Sequence, residues 1–211
     1  FDEDVWELYD TRTDFSLVND LSAENPEKLV ELQALFMQEA ERNQVLAIDD
    51  RVFERFVAAQ VGRPDLMGGR TSLTLADGMT GMTENVFLNV KNKSKTITAE
   101  LEVPDDGGAH GAILVQGGRF GGWTVYLTTD GRPAYCYNLF GLQLFKVAGE
   151  DPVAPGEHQV RVEFDYDGGG VGKGGTATLY LDGDEVASGR VDNTVPGVFS
   201  ADETTDVGTD T

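Results

Sequence analysis

From about Asp65 onward, apolar side chains recur at every second position, and that period of two fixes what most of this 211-residue chain can become. Ile97, Ala99, Leu101 and Val103 alternate with Thr98, Glu100 and Glu102. Val160, Val162, Phe164 and Tyr166 alternate with Arg161, Glu163 and Asp165. Successive side chains of a strand point to opposite faces, so each run reads as a strand with one buried and one wet face. Further strands are expected over 86–90, 112–116, 123–128, 134–140, 142–147 and 177–181. Asp130-Gly131 and Asp182-Gly183 are hairpin-turn signals. Many short strands with Gly-rich turns imply a mainly β fold, an antiparallel sandwich of jelly-roll type.

The first ~60 residues carry a different pattern, a small hairpin-plus-helix element. Val5 to Tyr9 reads as a strand and Asp10 to Asp14 as a turn. Asn25-Pro26-Glu27 is a helix start: a capping side chain, proline at the first position, then an acid at the positive end of the dipole. Leu29, Leu32, Phe36 and Ala40 form one apolar stripe. Asp49 or Asp50 is placed to cap a second helix, with Val52, Phe53, Phe56 and Val57 on one face and Gly62 and Pro64 beyond its end. Two parts are expected, 1–61 and 62–211.

Net charge narrows the partners. At −21 the chain repels phosphate backbones and anionic headgroups, which argues against nucleic acid and membrane surfaces. Its apolar runs fall short of the ~20 residues of a membrane span. One cysteine, Cys136, excludes an internal disulfide and leaves the compartment open between cytoplasm and periplasm. Both ends, Phe1 and Thr211, read as cuts in a longer polypeptide.

Residues for catalysis are sparse. A Ser or Cys nucleophile needs a base in reach, and only His110 and His158 are present. Both, and Cys136 between two tyrosines, are read as structural or surface groups. The loop Gly168 to Gly175 fails as a phosphate loop: Asp167 and Gly174 stand where Gly and Ser or Thr are required, and a strand follows instead of a helix. Asp165-x-Asp167 with Gly170 starts like a calcium loop but meets Thr176, not Glu, at the twelfth position. Asp202, Glu203, Asp206 and Asp210 form a second acidic segment. Phe120, Trp123, Tyr126, Tyr135, Tyr137 and Phe140 gather around the strands. Alternate spacing reads as core, whereas exposed on one sheet face they would stack on a sugar. Phe120, Trp123, Tyr135 and Tyr137 are the candidate sugar or partner contacts.

Several stretches, taken in order, resemble a known family. They are Trp6-Glu7-Leu8-Tyr9-Asp10, Pro26-Glu27-Lys28-Leu29, Val45 to Arg51, Gly62-Arg63-Pro64-Asp65-Leu66, Gly78 to Asn85, Gln116 to Trp123 and Asp165 to Gly170. Together they look like the C-terminal portion of large bacterial arylsulfatases of the type I sulfatase family. That resemblance implies a hairpin and helix ending the sulfatase unit, then an accessory sandwich. It implies a catalytic domain upstream of Phe1 as partner, with packing or self-association as the sandwich's role. It also implies that the parent carries a formylglycine, made from Cys-x-Pro-x-Arg, and a divalent metal such as calcium. Neither maps here: Cys136 is followed by Asn138 and Phe140 where Pro and Arg are required, so no catalytic, cofactor or metal residue is carried over. The family's sandwich continues past Asp202-Glu203 into another apolar strand that is absent here, so an open sheet edge or a mobile C-terminus is expected. The alternative role is a carbohydrate-binding module, against which the charge has the wrong sign for sulfated glycans.

Overall fold

The computed structural model describes residues 4–46, 62, 64–106 and 108–211. Its contacts divide the chain into two units, Phe1–Pro64 and Asp65–Thr211. The expected second helix lies outside the described residues.

In the first unit the helix α1 (Pro26–Arg42) starts at the expected proline. Asn25 makes no side-chain cap, because its amide donates back to the Leu21 carbonyl oxygen at 3.4 Å. Phe36 of the stripe packs edge-on against Trp6, centroids 5.4 Å apart. Val5 to Tyr9 is not a strand. The Leu8 N–H donates to the Asp20 carboxylate at 2.9 Å, and the Leu8 carbonyl accepts from Leu21 N–H at 2.7 Å. A side chain thus takes the donor that a partner strand would have used.

The second unit is an antiparallel sandwich of nine strands. They are β1 (Lys95–Val103), β2 (Gly111–Gly118), β3 (Gly121–Leu127), β4 (Pro133–Leu139), β5 (Gln143–Ala148), β6 (Gly156–Tyr166), β7 (Gly175–Leu181), β8 (Asp184–Val191) and β9 (Thr205–Val207). One sheet runs β1-β6-β7-β8 and the other β5-β4-β3-β2-β9. Inward-facing Trp123, Val125, Tyr135, Tyr137, Phe145 and Val147 of the second meet Val160, Val162, Phe164, Ala177 and Leu179 of the first. Each fully buried Val, Leu or Phe side chain among them stabilises the fold by roughly 1.5–3 kcal/mol.

Departures from the sequence reading have local causes. The 86–90 stretch is not a strand; a 3-10 turn over Glu84–Val86 leads into irregular chain. The Asn89 side chain accepts from Lys91 N–H, and Asn92 is left-handed at φ 57°, which breaks extension while Phe87, Leu88 and Val90 still plug the core. Strand β8, polar in sequence, comes close because Gly189 leaves room for Val147 of β5, where a Cβ would overlap. The expected open edge is covered: β9 pairs with β2, and its far side exchanges Thr205 N–H to Met82 oxygen and Met82 N–H to Thr205 oxygen at 2.7 and 3.2 Å. Buried Asp206 secures that strand by accepting from Gly81 N–H at 2.7 Å and Thr211 Oγ1 at 2.8 Å.

The Gly117-Gly118 and Gly121-Gly122 pairs flank the β2–β3 turn, and Gly117 opposes Gly122. Gly117 is left-handed at φ 75°, and a Cβ there would overlap the Gly121 carbonyl. Gly117→Ala is expected to cost about 3 kcal/mol from overpacking and backbone strain. Urea unfolding of the pure chain checks this; a loss under ~1 kcal/mol would contradict the close crossing.

Candidate functional site

The turns at one end of the five-stranded sheet converge. The β2–β3 connection is Arg119-Phe120, and the β4–β5 connection runs from Phe140 to Leu142. Asn138 ties them: its Nδ2 donates to the carbonyl oxygens of Gly118 and Arg119 at 2.6 and 3.0 Å, while its Oδ1 accepts from Gly141 N–H at 2.8 Å. Glu203 holds the first turn from the other side, accepting from Arg119 N–H at 3.0 Å. Two hydrogen bonds from Asn138 thus fix the tips relative to each other, the Gly141 bond tightens the second tip, and Glu203 anchors the first.

This fixed end carries apolar side chains into solvent. Phe120 is 65% exposed, Phe140 47%, Leu142 86% and Leu144 54%. Phe140 also sits at φ 54° and Gly141 at φ 70°, with Leu142 N–H bonded to Leu139 oxygen at 2.9 Å. A turn with both central residues left-handed favours Asn-Gly. A bulky side chain there costs roughly 1–2 kcal/mol. The tip thus combines a left-handed backbone with a solvent-facing aromatic side chain.

The other candidate aromatics are elsewhere. Trp123, Tyr135 and Tyr137 are packed inside the sandwich, at 3%, 0% and 1% exposure, so no sugar or partner can reach them. Their inward positions follow from the register, in which Trp123 opposes Tyr137 and Val125 opposes Tyr135. Of the four candidate contacts only Phe120 faces solvent. Trp123 Nε1 donates to Gln116 Oε1 at 3.1 Å, and Tyr137 Oη accepts from Val195 N–H at 2.9 Å. Burial first, against hydrogen bonds from Val195 and Thr194, pushes the Tyr137 hydroxyl up to about 12.

Sequence reading missed Lys95. It lies two residues before Ile97 on the same face of β1, directly across from Phe164, so the alternation puts a lysine on the core side. Its Nζ is 4.7 Å from the Phe164 ring centre, 5.5 Å from Trp123 and 5.9 Å from Tyr137. Burial, then the Lys91 charge, lowers its pKa to about 7. The ring faces return part of the desolvation cost. By contrast Lys91 is ion-paired with Glu84. Extending the Ile97–Val103 alternation backwards was the signal.

Each of the remaining candidate groups has a local structural setting. His158 Nδ1 is 2.7 Å from Asp182 Oδ2, and that hydrogen bond raises its pKa. His110 Nδ1 lies 2.7 Å from the Gly108 oxygen in an exposed loop. Burial raises the Cys136 thiol, away from the reactive thiolate. The Gly168–Gly175 loop joins β6 to β7, closed by Asp167 N–H to Gly174 oxygen at 3.0 Å and an Arg190–Asp167 ion pair. Among the described residues no three His, Cys, Asp or Glu side chains converge to hold a metal. Among the same residues no helix is long and apolar enough to cross a membrane.

No family model and no curated protein matches the chain. Among solved structures it is similar to a native heptameric SAP-like pentraxin from Limulus polyphemus, at 16% identity and a TM-score of 0.37, over 57% of this chain and 54% of that one. It is also similar to the CBM40 of the Ruminococcus gnavus IT-sialidase, at 16% identity and a TM-score of 0.36, over 56% of this chain and 62% of that one.

Two outcomes follow from this geometry. Phe140→Asn relieves the turn and is expected to stabilise the isolated chain by about 0.5–1 kcal/mol in urea melts; destabilisation would contradict the strain. Lys95 carries a linkage sign. The unfolded lysine keeps its proton to about 10.4, whereas the folded one releases it near 7. Between those values the unfolded chain binds more protons, so stability from this group rises with pH. Lys95→Met is expected to gain on the order of 2 kcal/mol at pH 6, shrinking by pH 10. An equal gain at both pH values would contradict a buried charge.

Proposed function

We propose that this chain is a non-catalytic C-terminal portion of an arylsulfatase-like protein, whose sandwich works by contact through its hairpin tips. The observation that carries the contact reading is the strained, solvent-facing Phe140 beside exposed Phe120, Leu142 and Leu144. Strain of this kind clusters at functional sites, and here it coincides with a group of exposed apolar side chains. The sulfatase reading rests on the motifs from Trp6-Glu7-Leu8-Tyr9-Asp10 to Asp165–Gly170 and their order along the chain. Formylglycine and metal chemistry would then belong to an upstream catalytic domain, since the residues here do not fit either group.

A protein surface suits the tip better than a glycan. Sugars stack on flat rings, which Phe120 and Phe140 offer, but Leu142 and Leu144 give branched aliphatic surface that stacks on nothing. Apolar patches rimmed by polar residues mark protein contacts. Carbohydrate binding is the second reading, favoured by the two exposed rings alone.

The test uses the complete protein and the double variant Phe120→Ser/Leu142→Ser. The tips face solvent in the sandwich, so the isolated chain is expected to melt as before, while the complete protein loses several degrees of Tm or changes its sedimentation coefficient. No change in either property would overturn the contact reading. Titration of neutral and sulfated oligosaccharides is expected to give no heat. Saturable binding abolished by the double variant would instead make the tip a sugar site.

A further inference from the structure

Strand β1 is an edge of the four-stranded sheet, and among the described residues its backbone bonds β6 alone. We infer that this edge pairs with the β1 of a second copy of the chain, antiparallel across a two-fold axis at Ala99.

The three other sheet edges are blunted. Strand β9 is closed by the Met82 bridge, β8 carries a register shift opposite Leu179 and Tyr180, and β5 is short with Lys146 facing out. By contrast β1 runs nine residues in unbroken register with β6 and contains no proline or glycine. A long regular edge offers a row of unpaired N–H and C=O groups to another strand. Thr71 and Ser72 lie beside its first residues, at Ser94, Lys95 and Thr96, yet bond none of its backbone.

Its inward side chains are incompletely covered as well. Ile97, Ala99 and Leu101 are half-buried, whereas Val162 and Val160, across from Ile97 and Ala99 on β6, are 1% exposed. Ile113 and Val207 of the facing sheet are half-buried too. The flank between the sheets is an apolar seam, and a strand added to β1 would cover it.

The sequence of β1 fits its own antiparallel copy. With Ala99 on the axis, Ile97 faces the copy's Leu101 on the inner side, while Thr98 faces Glu100 and Thr96 faces Glu102 on the outer side. Carboxylates never stand opposite one another, and the apolar pairs fall on the seam. Sliding the register by two residues sets Glu100 against Glu100, which like-charge repulsion disfavours. Such a contact is isologous and closes at two copies. The hairpin tips belong to the other sheet, so this inference stands whether or not the tip contact does. At −21 per chain the copies repel one another, and the pairing tightens as salt screens that charge.

Sedimentation velocity of the 211-residue chain tests it, at up to about 200 µM and from ~0.02 to ~0.5 M NaCl. A monomer–dimer equilibrium that strengthens with salt is expected. Thr98 is exposed and meets Glu100 of the copy twice per dimer. Thr98→Lys is therefore expected to lower the dissociation constant roughly 3- to 10-fold, and Thr98→Glu to raise it as much. The same exchanges at Thr129, an exposed turn residue, control for net charge and are expected to shift it less than about twofold. Hydrogen exchange of the unaltered chain is expected to show β1 amides slowing as concentration rises, which needs no variant. A chain monomeric throughout overturns the pairing. So does a dimer that responds equally to exchanges at Thr98 and Thr129, or that Phe120→Ser/Leu142→Ser dissolves.

Discussion

Tyr137 on β4 stacks on Phe164 of β6 at 6.4 Å between ring centres, with the planes 14° apart, and this contact joins the two sheets. The rest of that end of the sandwich is built around it. Phe199 meets Tyr137 edge-on at 6.3 Å, bringing the chain that leads to β9 against the core. The Tyr137 hydroxyl fixes Val195. The same two rings form two walls of the Lys95 setting. Aromatic pairs of this kind add about 0.5–1.5 kcal/mol beyond their buried area. Loss of the stack would therefore open the core, free the segment before β9 and release the lysine together.

The tip depends on that core indirectly. Asn138, next to Tyr137, points the other way, because neighbouring residues of a strand face opposite sides. A rigidly seated Tyr137 thus holds the amide that clamps both turns. Core packing and tip geometry are two faces of one strand. The exposed phenylalanines are presented by a stiff end of the sheet, which lowers the ordering cost of a contact.

Much of this was legible in residues. The period of two located β1, β6 and the central strands; Asp182-Gly183 marked the β7–β8 hairpin, with Asp182 at φ 51° and Gly183 at 94°. Proline placed the start of α1. What the sequence hid was hidden for physical reasons. Strand β8 is polar because it packs through Gly189, a residue with no side chain to count. Strand β9 has three residues and a buried carboxylate, so neither length nor hydrophobicity marks it. The Val5–Tyr9 run looks like a strand, yet Asp20 competes for its backbone. Whether Trp123 or Phe120 faces solvent depends on register and turn length, which alternation within one strand does not fix. Lys95 is readable from the alternation of β1, although lysines are seldom inward.

The proposed contact through the tips requires that their apolar side chains be covered in the assembly. Hydroxyl-radical footprinting compares oxidation of Phe120, Phe140 and Leu142 in the isolated chain and in the complete protein, with exposed Leu66 as an internal standard. The account predicts strong protection of the three tip residues in the complete protein and none at the standard. Equal oxidation of the tips in both samples would contradict it.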